Sequence, residues 1–229
     1  VYNTYNTGAL WFHERQPNWS DFEFELRNWL YYNWMSGDHI IEQAIHSIDL
    51  MSWAFGDELP ISATATGGRQ SRTAPEFGNV FDHFGVVYEY PDGKKGFHFC
   101  RQQKDCSRSY HVDALGTEGR CYIDVFRKHE ITGKENWKWR GDKTNMYQNE
   151  HDTLFASIRN EDPFNDGIRM ANSTMLGIWG RMAAYTGQTL TWDEALNSQE
   201  VLGPEVEEFT WDLNWPLKDV AQPGITKFT

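Results

Sequence analysis

The chain has 229 residues, 39% hydrophobic and 24% charged, the composition of an ordinary globular protein long enough to bury a sizeable core in one domain. Its formal net charge of -12, with no run of Lys and Arg, argues against nucleic acid and against an anionic membrane surface as partners, because both rest on clustered cations. No apolar stretch approaches the roughly 20 residues that a membrane helix requires, and Cys100, Cys106 and Cys121 form neither a Cys-x-x-Cys pair nor a dense framework, which disfavours a disulfide scaffold or structural zinc.

In chain order, residues 1 to 13 alternate Tyr and apolar groups with polar ones, as a strand or extended segment does. After Pro17, Ser20 can cap a helix over 21 to 34, where Phe22, Leu26, Trp29, Leu30 and Trp34 recur at three- and four-residue steps. Ser36-Gly37-Asp38 breaks it, and a second helix is expected over 39 to 55, closing at Gly56. The middle third is strand-rich. Strands are expected at Ile61 to Thr66, Val80 to Tyr90, Gly96 to Gln102, Ser109 to Leu115 and Arg120 to Phe126, with turns at Pro91-Asp92-Gly93 and Gly116-Thr117-Glu118-Gly119. Two successive hairpins imply an antiparallel sheet. A short strand around Trp137 to Arg140 follows, then helices at Asn149 to Asn160 and Gly167 to Tyr185, and Thr191-x-x-Glu194 makes a capping box for a last short helix. The tail from Gly203 is irregular. The pattern is α+β, a largely antiparallel sheet with helices, and residues 1–229 read as one unit without repeats or an interdomain linker.

The richest stretch is 42 to 49, Glu-Gln-Ala-Ile-His-Ser-Ile-Asp. At helical spacing Glu42, His46, Asp49 and Trp53 share one side while Ile41, Ala44, Ile45 and Ile48 face away. An imidazole one turn from a carboxylate can be held in one tautomer and act as a general base on a hydroxyl, although a polar helix face with one His is more often merely solvated. Gly67-Gly68-Arg69-Gln70-Ser71-Arg72 places two guanidiniums on a flexible loop that could grip a carboxylate or sugar hydroxyls. Asp82 and His83 fall in a strand and point to opposite faces, so they form no dyad by themselves. Glu150-His151 complements a helix start and needs no function. His39, Glu42 and His46 match no ligand spacing, so no metal site is assigned. No Gly-x-Gly, Gly-Lys-Ser/Thr or Gly-x-Ser-x-Gly occurs, so nothing here cradles a pyrophosphate or forms a nucleophile elbow. Eleven Trp, ten Tyr and fourteen Phe suit stacking on sugar faces as well as filling a core.

Arg27-Asn28-Trp29, Ser36-Gly37-Asp38, Glu42 to Asp49, Gly67-Gly68-Arg69-Gln70 and Arg181-Met182-Ala183-Ala184-Tyr185-Thr186-Gly187 together resemble the C-terminal domain of glucose-fructose oxidoreductase/inositol dehydrogenase/rhizopine (Gfo/Idh/MocA) proteins. The resemblance runs over nearly the whole chain. It implies an antiparallel sheet with helices on one face, whose open face often pairs between subunits, preceded in the family by a Rossmann domain that binds NAD or NADP and carries a Glu-Lys-Pro motif absent here. It implies that His46 exchanges a proton with the hydroxyl or ketone being interconverted, with Glu42 where many members have Asp. Arg69, Arg72, Asp38 and Gln43 are the candidate substrate-binding residues. The expected function is the substrate-binding and catalytic-histidine domain of an NAD(P)-dependent oxidoreductase acting on a sugar, forming a homo-oligomer through the open sheet. Its alternatives are a non-redox carbohydrate-binding or oligomerisation module, and an enzyme that cleaves glycosides with tightly held NAD. Cytoplasmic location is the default; an export signal removed ahead of Val1 would make it periplasmic.

Overall fold

The computed structural model describes residues 1–142 and 144–229. The chain runs β1 (Tyr2–Thr7), α1 (Asp21–Arg27), α2 (Asn33–Ser36), α3 (His39–Glu42), α4 (Ile45–Ala54), β2 (Ser62–Gly68), β3 (His83–Glu89), β4 (Lys95–Gln102), β5 (Ser109–Leu115), β6 (Gly119–Asp124), β7 (Lys128–Gly133) and β8 (Trp137–Lys138). It ends with α5 (Met146–Arg159), α6 (Gly167–Thr186), β9 (Leu190–Thr191) and α7 (Trp192–Leu196). The strands form one open sheet in the order β8-β7-β6-β5-β1-β4-β3-β2-β9. Every pairing is antiparallel except β1 with β4, where Thr4 lies opposite Phe99. No helix among the described residues is long and apolar enough to cross a membrane.

The core follows from period-two alternation meeting helical stripes. Along β3, Phe84, Val86 and Tyr88 are buried while the residues between them are less so. That face packs on Ile40, Ala44, Ile48 and Met51 of α3 and α4 and on Leu176, Trp179 and Ala183 of α6. Each of the larger aliphatic side chains among them contributes about 1.5–3 kcal/mol by leaving water. The helices cover only the β2-to-β1 half of the sheet closely. Residues of β6, β7 and β8 remain half-buried or exposed on both faces, Ile131 and Trp137 among them. A smaller aromatic cluster of Phe24, Leu30, Tyr31, Tyr32 and Val80 closes one end.

Several boundaries differ from expectation, each for a tertiary reason. The extended segment at 1 to 13 is a strand only over Tyr2–Thr7. The helix expected over 21 to 34 stops at Arg27, because the Asn28 carboxamide donates to the His13 carbonyl (3.0 Å) and accepts from its N–H (2.9 Å), pulling the backbone out of helical geometry. The helix expected over 39 to 55 is two, α3 and α4. At Gln43 (φ -122, ψ -46) the ladder widens and the Ala44 N–H reaches back five residues to the His39 carbonyl, 3.0 Å away. β3 begins at His83 rather than Val80, and β8 is two residues long. β7 had no signal, since its hairpin turn carries no Gly or Pro; Asp124 makes the turn by accepting from the Phe126 N–H (3.3 Å). Asn145 caps α5 from Met146, one turn before the expected start, so Glu150-His151 lies inside the helix.

One glycine is required where the small cluster meets the sheet. Gly78 has φ +55, and a Cβ there would fall 2.0 Å from the Tyr31 carbonyl oxygen, which accepts the Asn79 N–H at 3.1 Å. Gly78→Ala is therefore expected to destabilise the fold by about 2–3 kcal/mol. Urea unfolding of the variant checks this, and a midpoint equal to the parent's would show that the loop relaxes freely.

Candidate functional site at the edge of the helical layer

α4 lies where helical cover of the sheet stops. Ala44 ahead of it and Ile48 within it are buried, Ile41, Glu42, Ile45 and Asp49 are half-buried, and His46 and Trp53 are exposed, so the expected two-sided pattern holds only in part. The His46 ring stands 6.3 Å from Tyr5 of β1, and Tyr5 stands 4.7 Å from Tyr110 of β5. These tyrosines come together because β1 inserts between β4 and β5, with Tyr5 directly opposite Tyr110. Asp49 does not hold the imidazole. Its carboxylate accepts from the Ser173 hydroxyl at 2.6 Å and lies 3.7 Å from Arg169, both on α6.

Electrostatics mark this edge. Burial pushes the Glu42 carboxyl up to about 7, and its Oε2 is buried with no hydrogen-bond partner. The Tyr5 phenol is raised by burial and then by the neighbouring Glu42 and Tyr147; Tyr110 is raised by burial and then by Tyr5, Asp49 and Tyr147. Both phenols therefore stay protonated near neutral pH and can donate hydrogen bonds. Tyr5, Tyr110 and Tyr147 were not foreseen as site residues. The sheet order brings Tyr5 and Tyr110 together and the head of α5 adds Tyr147, and no sequence spacing encodes either.

The other candidates lie deeper. Asp38 is fully buried: Oδ1 accepts from the His39 N–H (2.6 Å) and faces His39 Nδ1 (3.0 Å), and Oδ2 accepts from the Phe81 N–H and the Tyr185 hydroxyl (2.7 Å each). Burial alone would raise its pKa, yet these bonds, with the charge of His39, bring it below the ordinary value. Arg69 donates to the carbonyls of Gly78 (2.7 Å), Ala74 (2.8 Å) and Arg72. Arg72 is buried, donating to the Phe81 carbonyl at 2.6 Å and to Gln102 Oε1 at 2.8 Å, while Gln102 Nε2 donates to Gln43 Oε1 at 3.0 Å. The structure thus joins Arg72 to Gln43, the residue at the widened turn before His46, and keeps Arg69 and Asp38 apart from the exposed edge.

The 69-to-78 loop is tied down rather than flexible. Asp82 Oδ2 accepts from the backbone N–H groups of Gln70 (2.7 Å), Ser71 (2.6 Å) and Arg72 (3.3 Å). Asp82 Oδ1 faces His83 Nδ1 at 2.8 Å and accepts from Gln103. Burial opposes ionisation of Asp82, but these donors hold it well below the usual carboxylate range. Asp82 and His83 are therefore hydrogen-bonded, contrary to the alternation argument, because Asp82 precedes β3 and turns back to its neighbour. The same geometry tests a dinucleotide fit. The three N–H groups after Gly67-Gly68 that could cradle a phosphate already hold this chain's own carboxylate, and a loop follows rather than a helix. The pyrophosphate does not fit here. Among the described residues no three His, Cys, Asp or Glu side chains converge to hold a metal.

Glu42 makes a pH-dependent contribution whose sign is fixed. Its folded pKa, about 7, lies above the ordinary 4.5, so the protonated form favours the folded state. Stability is intact below pH 4.5 and falls as pH rises through about 7. Glu42→Gln is expected to match the parent near pH 4 and to exceed it by about 1–2 kcal/mol near pH 8.5, after discounting for partial solvent screening. Urea titrations at the two pH values measure this; an equal difference at both would rule out a raised carboxyl.

Residues 9–122, close to half of the chain, match the family model of the GFO/IDH/MocA C-terminal domain. No sequence among the curated proteins matches. Solved structures share the fold. Aldose-aldose oxidoreductase from Caulobacter crescentus, complexed with glycerol, is 18% identical with TM-score 0.60, over 83% of this chain and 55% of that one. UDP-N-acetylglucosamine 3-dehydrogenase GnnA from Acidithiobacillus ferrooxidans is 14% identical with TM-score 0.56, over 80% and 52%. An oxidoreductase from Agrobacterium radiobacter in complex with NAD+, L-tartaric acid and magnesium is 13% identical with TM-score 0.56, over 84% and 56%. This chain spans a little over half the length of the solved proteins it matches. With the α+β sheet and the family model in agreement, the chain belongs to the Gfo/Idh/MocA oxidoreductases and corresponds to their C-terminal domain.

Proposed function

We propose that residues 1–229 form the substrate-binding and proton-transfer unit of an NAD(P)-dependent oxidoreductase that acts on a sugar or sugar derivative. The observation that carries this reading is the exposed His46 imidazole with its ring 6.3 Å from Tyr5, a phenol raised by burial and then by Glu42, the half-buried acid whose Oε2 has no partner. Oxidising a secondary alcohol divides the carbinol into a hydride and a proton. A nicotinamide held outside this chain would take the hydride from carbon, and the proton is this chain's task. His46 accepts it from the hydroxyl and returns it in the reverse direction. The half-buried Glu42 carboxyl shares a hydrogen bond with a neighbouring substrate hydroxyl, and its raised pKa lets it serve either as donor or as acceptor near neutrality. Tyr5 and Tyr110 donate to further hydroxyls. Arg72, through Gln102, fixes Gln43 and hence the turn that aims His46; Arg69 holds the loop behind it.

The names of relatives support the substrate class, since aldose and UDP-N-acetylglucosamine enzymes share this fold. The open sheet face, where Tyr2 and Phe99 lie exposed 5.7 Å apart, supports pairing with a second copy. Light scattering tests this: Phe99→Glu is expected to shift a dimer to monomer, and an unchanged mass would remove that face from the interface.

His46→Ala in the full-length polypeptide is expected to lower kcat for NAD(P)-linked sugar oxidation by about 10²–10⁴-fold with only a small change in KM. Turnover within a few-fold of the parent would refute proton transfer by His46. A fall in thermal midpoint accompanying the loss would instead assign His46 a structural part.

A further inference from the structure

Beside the His46 edge lies a cleft of about 580 Å³ that the proposed chemistry does not use. It is formed by the β6–β7 turn, by Lys138 of β8 with Trp139 and Asp142, and by the head of α5. Its size falls in the usual range for a small-molecule site. Three rings line it, Phe126, Trp139 and Tyr147, and all are more than half exposed. Each is positioned by its own backbone device. Asp124 fixes the turn that presents Phe126, and Asn145 caps α5 by accepting from the N–H groups of Tyr147 and Gln148. The Trp139 N–H donates to the His129 carbonyl at 3.0 Å, and Gly141 lies so close under the indole that a Cβ would sit 2.4 Å from Cζ2. Arg127, Lys138 and Asp142 add donors and an acceptor around the rings.

A series of ring contacts links the cleft to the candidate site. Phe126 stands 5.8 Å from Tyr110, Tyr110 stands 4.7 Å from Tyr5, and Tyr5 stands 6.3 Å from His46. Tyr147 lines the cleft and also acts electrostatically on Tyr5 and Tyr110. Flat rings with polar groups around them fit a pyranose, whose axial C–H face stacks on aromatics while its hydroxyls reach charged donors and acceptors. The larger groove, about 820 Å³ near the Gly116–Gly119 turn, lacks this character: Lys94, Lys95 and Lys134 there are paired with Glu58, Glu89 and Glu118.

We infer that the Phe126–Trp139–Tyr147 cleft is a second carbohydrate subsite, holding a sugar ring joined to the one presented to His46, so that the substrate is a glycoside or disaccharide rather than a free monosaccharide. This rests on the oxidoreductase reading for its link to turnover, but not for binding. Two measurements separate the two. In the first, the full-length polypeptide is assayed with NAD(P) on glucose against cellobiose and maltose, and on galactose against lactose. At least one disaccharide is expected to exceed its monosaccharide about tenfold in kcat/KM, and that advantage is expected to vanish in Trp139→Ala. Monosaccharide turnover with no disaccharide advantage overturns the subsite and leaves the oxidoreductase reading standing. In the second, saturation-transfer NMR with cellobiose, maltose and lactose is run on the 229-residue chain. Transfer to one of them that is lost in Trp139→Ala supports the subsite even if no sugar is oxidised. Absence of transfer from all three, or transfer indifferent to Trp139→Ala, overturns it.

Discussion

The rest of the structure hangs on one buried carboxylate. Asp38 has no solvent exposure and a positive φ of 73, and it binds the first turn of α3, the strand approach at Phe81 and Tyr185 of α6 at once. An uncompensated buried charge costs several kcal/mol, so the folded chain keeps it only with every oxygen satisfied. Satisfying it requires α3, β3 and α6 in a single arrangement. The direction in which the α3–α4 pair leaves Asp38 then decides where His46 stands on the sheet. Asp82 repeats the device one residue beyond Phe81, gathering three backbone N–H groups so that the loop after β2 closes onto β3.

Glu42 is instructive beside Asp38. Both are acids near the start of the same helical stretch, yet donors draw the one below its ordinary pKa while burial without a donor lifts the other. An orphaned acid at the edge of an uncovered surface lowers stability for a folded chain, and groups tuned this way concentrate where ligands bind. The widened turn at Gln43 has the same location, between this acid and His46, and helices commonly widen near functional sites.

Much of this architecture could be read from residues 39 to 56 and from the turn residues between strands. Of the expected apolar side, Ala44 and Ile48 are buried while Ile41 and Ile45 are half-buried, and Gly-containing turns pointed to the β3–β4 and β5–β6 hairpins. What could not be read depended on contacts far apart in the chain. Asn28 ends α1 by bonding His13, and Gln43 breaks the next helix while meeting Gln102. Asp124 turns a hairpin that has neither Gly nor Pro. Asp82 and His83 came together because strand alternation applies only inside a strand, and Asp82 lies just before one. The two arginines suggested an open grip on ligand; in the fold each guanidinium meets carbonyls of its own loop, a role that only the closed loop reveals.

The half-covered sheet ties these points together. α3, α4 and α6 bury one face of β1 to β4, while β6 to β8 extend past them with Ile131, Trp137 and Trp139 exposed. A sheet extension that merely enlarged the core would bury its apolar residues, and these are not buried. The boundary between covered and uncovered sheet is where His46, Glu42, Tyr5 and Tyr110 meet, and the aromatic cleft begins on its uncovered side. A polar, titratable cluster bordered by flat apolar rings suits a ligand with one reacting hydroxyl and an adjoining ring to anchor, because binding at the anchored ring can hold the reacting carbon in place for proton transfer.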